Sequence, residues 1–227
     1  MKAELVKKRA ENSAKTIISF WFKPERPLDQ IAGQYIELTL PAKAPSGRSL
    51  RRWFTLSSSP TEAPLICITT KFSEPSSDFK KRLKALKVGQ AVIISDPLGD
   101  FVLPKDSGLP LVFVAGGIGI TPFRSILKYL SDRGETRQIS LIYLVTADSE
   151  LIFQPLLKKF KPRQIITNNF PVSPEDLLGF IEPSPKSLIY LAGPEAWVET
   201  LAKQLSDLGI NRSRLVLDLF EGYSGQF

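Results

Sequence analysis

A glycine-rich stretch from Val114 to Pro122 is the part of this sequence best suited to binding a ligand. It reads Val-Ala-Gly-Gly-Ile-Gly-Ile-Thr-Pro and lies between an apolar run and a helical pattern. Glycines let a backbone approach a bound molecule, and free N–H groups at a helix start attract phosphate. The stretch is neither the G-x-G-x-x-G fingerprint nor a Walker loop. The alternative is a tight strand-to-helix turn without a ligand, but three glycines within four residues favour a ligand site.

A second stretch, Arg51 to Pro60, places arginines beside two aromatic residues. In a strand, Arg52 and Phe54 lie on one face, and Trp53 and Thr55 lie on the other. Taken alone, this pattern favours a cross-strand aromatic contact beside a solvated arginine and a polar turn over a ligand site. It becomes a candidate site because the same chain also contains the glycine-rich stretch.

Two absences exclude much chemistry. The chain has no histidine and one cysteine, Cys67, which lies in an apolar run typical of a core residue. One thiol cannot supply an iron–sulfur cluster, and the usual zinc, haem and Ser-His-Asp sites need histidine. We therefore expect no metal site, and a redox reaction would need a bound organic cofactor.

The charge balance is basic. The 227 residues contain 30 Lys and Arg against 23 Asp and Glu, a formal charge of +7. This excess suits nucleic acid, an anionic cofactor or an acidic partner. Residues 80–87 carry five of the basic side chains on one predicted helix, either as a solvated face or as a docking patch for an acidic protein.

The first hundred residues contain short β-like runs separated by prolines and glycines, the pattern of an antiparallel barrel or sandwich. The predicted strands are Thr16 to Phe22, Tyr35 to Leu40, Arg52 to Leu56, Leu65 to Phe72 and Ala91 to Ser95. One helix interrupts them, capped by Ser76 or Ser77, with an apolar stripe from Phe79 to Leu86 and Gly89 after its end.

From about Leu109 the pattern changes to alternating strands and helices, which is typical of a parallel α/β sheet. Three continuous apolar runs predict buried strands at Leu111 to Ala115, Ile139 to Val145 and Leu188 to Ala192. The predicted helices are one capped by Thr121, with Pro122 first and Gly134 closing it, one starting at Ser173 and Pro174, and one after Gly193 and Pro194.

The polar, turn-rich segment from Leu103 to Pro110 predicts a domain boundary. The predicted fold is an antiparallel β-barrel domain over residues 1–105 followed by an α/β parallel-sheet domain over residues 106–227. The longest apolar stretch is interrupted by proline and glycines, so no membrane span is expected. The N-terminal residues do not resemble a secretory signal, so a cytoplasmic location is expected.

Together the two stretches resemble motifs of the ferredoxin–NADP reductase superfamily of flavoenzymes. Arg52-Trp-Phe-Thr55 is similar to its Arg-x-Tyr-Ser/Thr motif, and Gly116-Gly-Ile-Gly-Ile-Thr-Pro122 to its Gly-Gly-x-Gly-x-Thr-Pro motif. Weaker similarities follow in the same order at Ser76-Ser77, Asp96 to Phe101, Leu191 to Pro194 and Phe220 to Tyr223. The resemblance covers nearly the whole chain, and it implies that the barrel domain binds FAD and the α/β domain binds NAD(P)H.

The resemblance also implies roles for single residues. Arg52 would bind the FAD pyrophosphate, and Thr55 would bond the flavin near N5. The glycine stretch would hold the nicotinamide nucleotide, and Tyr223 or Phe227 would cover the flavin. The candidate catalytic residues are Thr55 and Tyr223. The candidate cofactor-binding residues are Arg52, Trp53, Phe54, Thr55, Lys71, Ser76, Ser77, Gly116, Gly117, Gly119, Thr121, Pro122, Asp148, Gly193, Pro194, Tyr223 and Phe227.

Some positions depart from the family pattern. Phe54 replaces the usual tyrosine and has no hydroxyl for the ribityl chain, and Ala192 stands where many members have cysteine. After the second strand of the α/β domain, Asp148 would repel the 2′-phosphate of NADPH, which favours NADH. Arg124 or Lys128 would weaken that argument if either reached the phosphate.

The sequence therefore predicts a flavin-dependent oxidoreductase that takes hydride from NAD(P)H onto FAD and passes electrons to a protein or small-molecule acceptor. One alternative is an electron-transfer subunit that works only when docked on a partner enzyme. A basic nucleic-acid-binding protein is the other, and it would leave the glycine stretch unexplained.

Overall fold

A computed structural model describes residues 1–43, 49–166, 184 and 186–220. Its first part is an antiparallel sheet with a helix. The elements are β1 (Lys2–Ala10), β2 (Ile17–Pro24), β3 (Tyr35–Lys43), β4 (Ser49–Thr55), β5 (Ile66–Lys71), α1 (Asp78–Ala85) and β6 (Ala91–Ile94).

The antiparallel sheet closes on itself as a barrel. Its strand order is β4-β3-β6-β1-β2-β5, and the two end strands meet where Leu56, just after β4, pairs with Ile68 of β5. Alternate residues point inward, so Phe20, Phe22 and Ile68 are fully buried in one core. The predicted antiparallel β-barrel is confirmed. Strand β1 was not predicted, because the charged residues of Lys2–Ala10 hide the alternation of Ala3 and Leu5.

Helix α1 packs against β3 and β4 of the barrel. The Ser77 hydroxyl caps its start by accepting a hydrogen bond from the Lys80 N–H at 3.3 Å. Phe79 and Leu83 are buried beneath it. The helix and its stripe agree with the prediction, and the cap is Ser77 rather than Ser76.

The second part is a parallel sheet flanked by helices. The elements are β7 (Leu111–Gly116), α2 (Ile120–Arg133), β8 (Ile139–Val145), α3 (Gln154–Leu157), β9 (Arg163–Ile166), β10 (Leu188–Pro194), α4 (Glu195–Asp207) and β11 (Leu215–Phe220). In the described residues the order is β11-β10-β7-β8-β9. After β7 the chain adds β8 and β9 on one side of it, and it later adds β10 and β11 on the other side. The direction in which strands are added therefore reverses between β7 and β10. Such a switch point at the carboxyl ends of parallel strands is where ligands bind in open α/β sheets.

The parallel sheet confirms the predicted α/β half, with two differences in detail. Strands β9 and β11 were not predicted. The start of α2 was also wrong: it begins at Ile120 with Gly119 as its N-cap, and Thr121 is its second residue. The Thr121 hydroxyl donates to the Ile118 carbonyl at 3.0 Å instead of capping the helix. The predicted helix start at Ser173 and Pro174 lies outside the described residues.

None of the helices in the described ranges has the length and apolar character needed to span a membrane. The same residues contain no group of three Cys, Asp or Glu side chains placed to hold a metal ion.

Candidate functional site

A cavity of about 400 Å³ lies between the barrel and the parallel sheet. One wall comes from β4 and β5, and the other comes from the start of α2 and the end of β11. The residues lining it are Tyr35, Arg52, Trp53, Phe54, Thr55, Thr69, Thr70, Asp100, Ile118, Thr121, Leu217, Asp218, Leu219 and Phe220. The structure thus brings the predicted Arg52 to Thr55 stretch and the predicted glycine turn to the same cavity.

The β4 wall combines a cation with aromatic rings. The exposed Arg52 guanidinium lies over the ring of Phe79, 5.8 Å from its centroid. Phe54 packs against the same ring at 5.7 Å between centroids, with the two rings tilted by 30°. Trp53 is 52% exposed although it is a large apolar residue, and its edge meets Tyr35. An exposed arginine fork beside open aromatic faces suits a ligand with phosphates and a flat ring.

Thr55 is buried, and its hydroxyl donates to the Asp218 carboxylate at 3.2 Å across the cavity. Burial raises the pKa of Asp218 to about 7; the Thr55 hydrogen bond lowers it and the nearby Asp100 carboxylate raises it further. A carboxyl group that titrates near neutrality can hold or release a proton at physiological pH. Thr55 was predicted as a site residue. From the sequence, Asp218 or Glu221 could be an acid that assists electron transfer, but a surface carboxylate is the favoured interpretation of both. In the sequence, Asp218 is a lone charge within the apolar run Leu215–Phe220.

The glycines of the turn and of the neighbouring strand end lack a side chain for two different reasons. A Cβ on Gly116 or on Gly193 would lie 2.9 or 3.0 Å from the buried Trp197 ring, and one on Gly119 would lie 2.0 Å from the Ala192 carbonyl oxygen. These three are needed for packing. Gly117 has φ +55° and open space where its side chain would be. It is therefore the glycine of the turn whose missing side chain leaves room for a ligand.

The other residues predicted around the turn lie at the carboxyl edge of the parallel sheet. Thr121 lines the cavity. Pro122 is the third residue of α2. A backbone N–H in the first turn of a helix has no partner within the helix, so proline, which lacks this N–H, loses no hydrogen bond there. Pro194 ends β10 beside Phe220 of β11 and leads into α4.

Of the cofactor-binding residues predicted in the barrel half, three do not line the cavity. Lys71 binds Glu150 of the parallel-sheet half through its ammonium group at 2.5 Å. The Ser76 backbone N–H donates to the Glu74 carboxylate at 3.2 Å, and Ser77 caps α1. Their roles in binding FAD remain predictions. Tyr223 and Phe227 lie outside the described residues.

Asp148 is exposed in a 3₁₀ turn that follows β8 closely. The two cations considered as rivals are engaged elsewhere. Arg124 is buried against Glu62 of the barrel half, and Lys128 is paired with Asp132 one turn further along α2.

Comparison with known proteins agrees with this arrangement. Residues 113–176 match the oxidoreductase NAD-binding domain. The chain is 30% identical to the toluate 1,2-dioxygenase electron transfer component of Pseudomonas putida, over 85% of this chain and 60% of that protein. It is 29% identical to flavohemoprotein A of Dictyostelium discoideum, over 95% of this chain and 59% of that protein. The chain therefore spans about three fifths of the length of these relatives.

The fold is similar to that of the flavohem-like FAD/NAD-binding domain of nitric oxide dioxygenase from Vibrio cholerae. The TM-score is 0.76 at 21% identity, and the match covers 96% of this chain and 98% of that one. In sequence and in fold the chain resembles the ferredoxin reductase-like FAD/NAD-binding proteins. The resemblance predicted from the two motifs is thus confirmed, and so is the two-domain fold class.

Proposed function

We propose that the chain is a flavoprotein reductase that binds FAD in its barrel half and NAD(P)H in its parallel-sheet half. The observation that carries this proposal is the shared cavity, in which Arg52 to Thr55 face Ile118, Thr121 and Asp218. Two cofactors that must exchange hydride need sites that open onto one space. The names of the relatives support the same activity, since they include an electron transfer component and the reductase component of phenol 2-monooxygenase.

The residues present fit an FAD molecule. When bound, FAD would accept hydride from the nicotinamide and release electrons singly or in pairs. Arg52 offers its exposed fork of donors to the pyrophosphate, and Phe54 and Trp53 offer apolar ring faces. Thr55 presents a hydroxyl whose orientation is set by Asp218. Because the pKa of Asp218 is about 7, this carboxyl can keep a proton inside the cavity during the reaction.

The parallel-sheet half fits a nicotinamide nucleotide. Gly117 leaves open space at the end of β7, beside the start of a 14-residue helix whose N-terminal dipole attracts phosphate. We propose NADH as the preferred donor. Asp148 is exposed beyond β8, and Arg124 and Lys128 each already have a carboxylate partner. The proposed domains are residues 1–105 for FAD and 106–227 for the nucleotide, and the cytoplasmic location stays a prediction.

A second candidate function is an electron-transfer subunit that works only when docked on a partner enzyme. It is favoured by the basic side chains on α1 and just after it, where Lys81, Arg82, Lys84 and Lys87 are exposed. The helix packs on β4 next to Arg52, so an acidic protein bound there would lie close to the cavity. Here the acceptor is proposed to be a protein rather than a small molecule.

The first test is an absorbance spectrum of the purified chain with and without added FAD, followed by anaerobic addition of NADH. We expect flavin bands that bleach on addition of NADH. A chain that refuses both FAD and FMN would refute both candidate functions. Turnover assays with ferricyanide or a small quinone as the electron acceptor then distinguish the two candidate functions. Turnover with either small acceptor supports an independent reductase, whereas bleaching without turnover supports the subunit.

A further inference from the structure

The two halves of the chain are joined by a buried arginine on α2. Arg124 is 8% exposed. Its guanidinium donates to the Ser57 carbonyl and to the Glu62 carboxylate, each at 2.8 Å, with a further bond to the second carboxylate oxygen. It also lies over the rings of Trp21 of the barrel and Phe153 of its own half, at 5.8 and 5.7 Å. The guanidinium group thus contacts two aromatic rings and three acceptor oxygens.

The next residue makes a parallel contact. The Ser125 hydroxyl, which is fully buried, donates to the Ser58 carbonyl at 2.6 Å. Two consecutive side chains of α2 therefore hold two consecutive carbonyls of the barrel half. We call Arg124, Ser125, Ser57, Ser58 and Glu62 the clasp.

The barrel side of the clasp is rigid. Glu62 closes a capping box with Ser59, whose backbone N–H donates to the same carboxylate at 2.8 Å. The Ser57 hydroxyl lies 2.9 Å from the hydroxyl of Thr69, which lines the cavity. A displacement of Ser57 would therefore be transmitted to the cavity wall.

The clasp joins the two cavity walls close to where they face each other. Ser57 is two residues after Thr55, and Arg124 is three residues after Thr121, which is one turn of α2. Neither Arg124 nor Ser125 lines the cavity itself. Their contacts instead fix the distance between the wall that carries Arg52 to Thr55 and the wall that carries the glycine turn.

We propose that Arg124, with Ser125, is a positioning residue that sets the alignment of the two cofactor sites for hydride transfer. This inference rests on the proposed function. Hydride transfer depends steeply on alignment, and a misplacement of about 1 Å can cost about 100-fold in rate. A buried ion pair is weak evidence for added stability but is suited to fixing one geometry. Arginine is required because a lysine cannot bind a carbonyl and both oxygens of a carboxylate in one plane.

The test compares Arg124→Met with Arg133→Met, a matched control. Arg133 is exposed at the far end of the same helix. For each variant and for the unmodified chain, FAD affinity and NADH affinity are measured by titration, and the limiting rate of flavin reduction is measured by anaerobic stopped flow. Amide hydrogen exchange of residues 57–66 and 120–130 in the ligand-free chain gives a readout independent of activity.

For Arg124→Met we expect at least a tenfold lower limiting rate, both affinities within about threefold, and about tenfold faster exchange in the two segments. The control should match the unmodified chain in all four. An unchanged limiting rate would overturn the proposal. A lower rate that is fully explained by weaker binding of FAD or NADH would overturn it as well.

Ser125→Ala removes a single hydrogen bond and serves if Arg124→Met does not fold. For it we expect a twofold to fivefold lower limiting rate with both affinities retained, and an unchanged rate would again overturn the proposal. If the unmodified chain is not reduced by NADH at all, the proposed function has failed instead. The exchange measurement would then still show whether the clasp holds the two halves together.

Discussion

Asp218 should make the ligand-free chain less stable as the pH rises, and Asp218→Asn should remove this effect. The side chain is half-buried at the cavity, and its pKa is raised from 3.8 to about 7. The folded state therefore holds this proton more tightly than the unfolded state does. Its contribution to stability is fully present below about pH 3.8 and is lost as the pH rises to 7.

The size of the effect follows from the pKa. At about 1.4 kcal/mol per pH unit, ionisation over this range costs the folded state up to about 4 kcal/mol. Water in the cavity relaxes part of this cost, so we expect about 2 to 4 kcal/mol at pH 8. Asparagine keeps the shape of the side chain and carries no charge, so the variant should be more stable than the unmodified chain by that amount at pH 8. Near pH 4 the difference should nearly vanish.

The assay is urea unfolding of both proteins at pH values from 4 to 8. A stability difference that does not change with pH would refute the assignment of this titration to Asp218. Two further variants test what sets the pKa of Asp218. Asp100→Asn removes a repulsive charge and should move the pH dependence to lower pH, whereas Thr55→Val removes a hydrogen bond to the carboxylate and should move it higher.

The other predictions concern the cofactors. Arg52→Ala should weaken FAD binding about 10-fold to 100-fold by loss of charge-assisted hydrogen bonds, and Lys81→Ala is the control; unchanged affinity in a flavin titration would contradict the role of Arg52. Gly117→Val should keep the flavin spectrum but prevent bleaching by NADH, because the side chain would fill the open space at φ +55°; loss of flavin instead would mean that the roles of the two halves are reversed. NADH should reduce the flavin with a higher limiting rate over Kd than NADPH does, and Asp148→Ser should narrow that ratio; a preference for NADPH in the unmodified chain would refute the argument from charge.

The sequence predicted best those elements whose signal is local. The apolar runs Leu111 to Ala115 and Ile139 to Val145 became the buried strands β7 and β8, because a strand covered on both faces needs apolar residues throughout. Gly134 ends α2 in the left-handed conformation, as a glycine after a helical pattern predicts. The glycine turn and Arg52 were brought to one cavity as the two motifs implied.

What the sequence could not reveal depends on contacts between distant segments. The burial of Asp218 arises because β11 lies next to β10 and faces β4 across the cavity, and nothing in the run Leu215–Phe220 indicates that neighbour. The contacts of Arg124 could not be predicted for the same reason. An arginine on an amphipathic helix is usually solvated, and only the folded chain places it between Trp21 and Glu62.

The indole of Trp197 couples two glycines that lie 77 positions apart. Its ring lies against the Cα atoms of Gly116 and Gly193, at the ends of β7 and β10. These three positions therefore form one steric unit that tolerates change only in concert. A single alanine at 116 or 193 would push the ring away and open a gap beneath the other strand. A leucine at 197 would take the ring away from both positions, but a Cβ at 193 would still lie 3.2 Å from the Gly116 carbonyl oxygen. Protein engineers who wish to stiffen this edge should therefore combine the change at 197 with alanine at 116 alone.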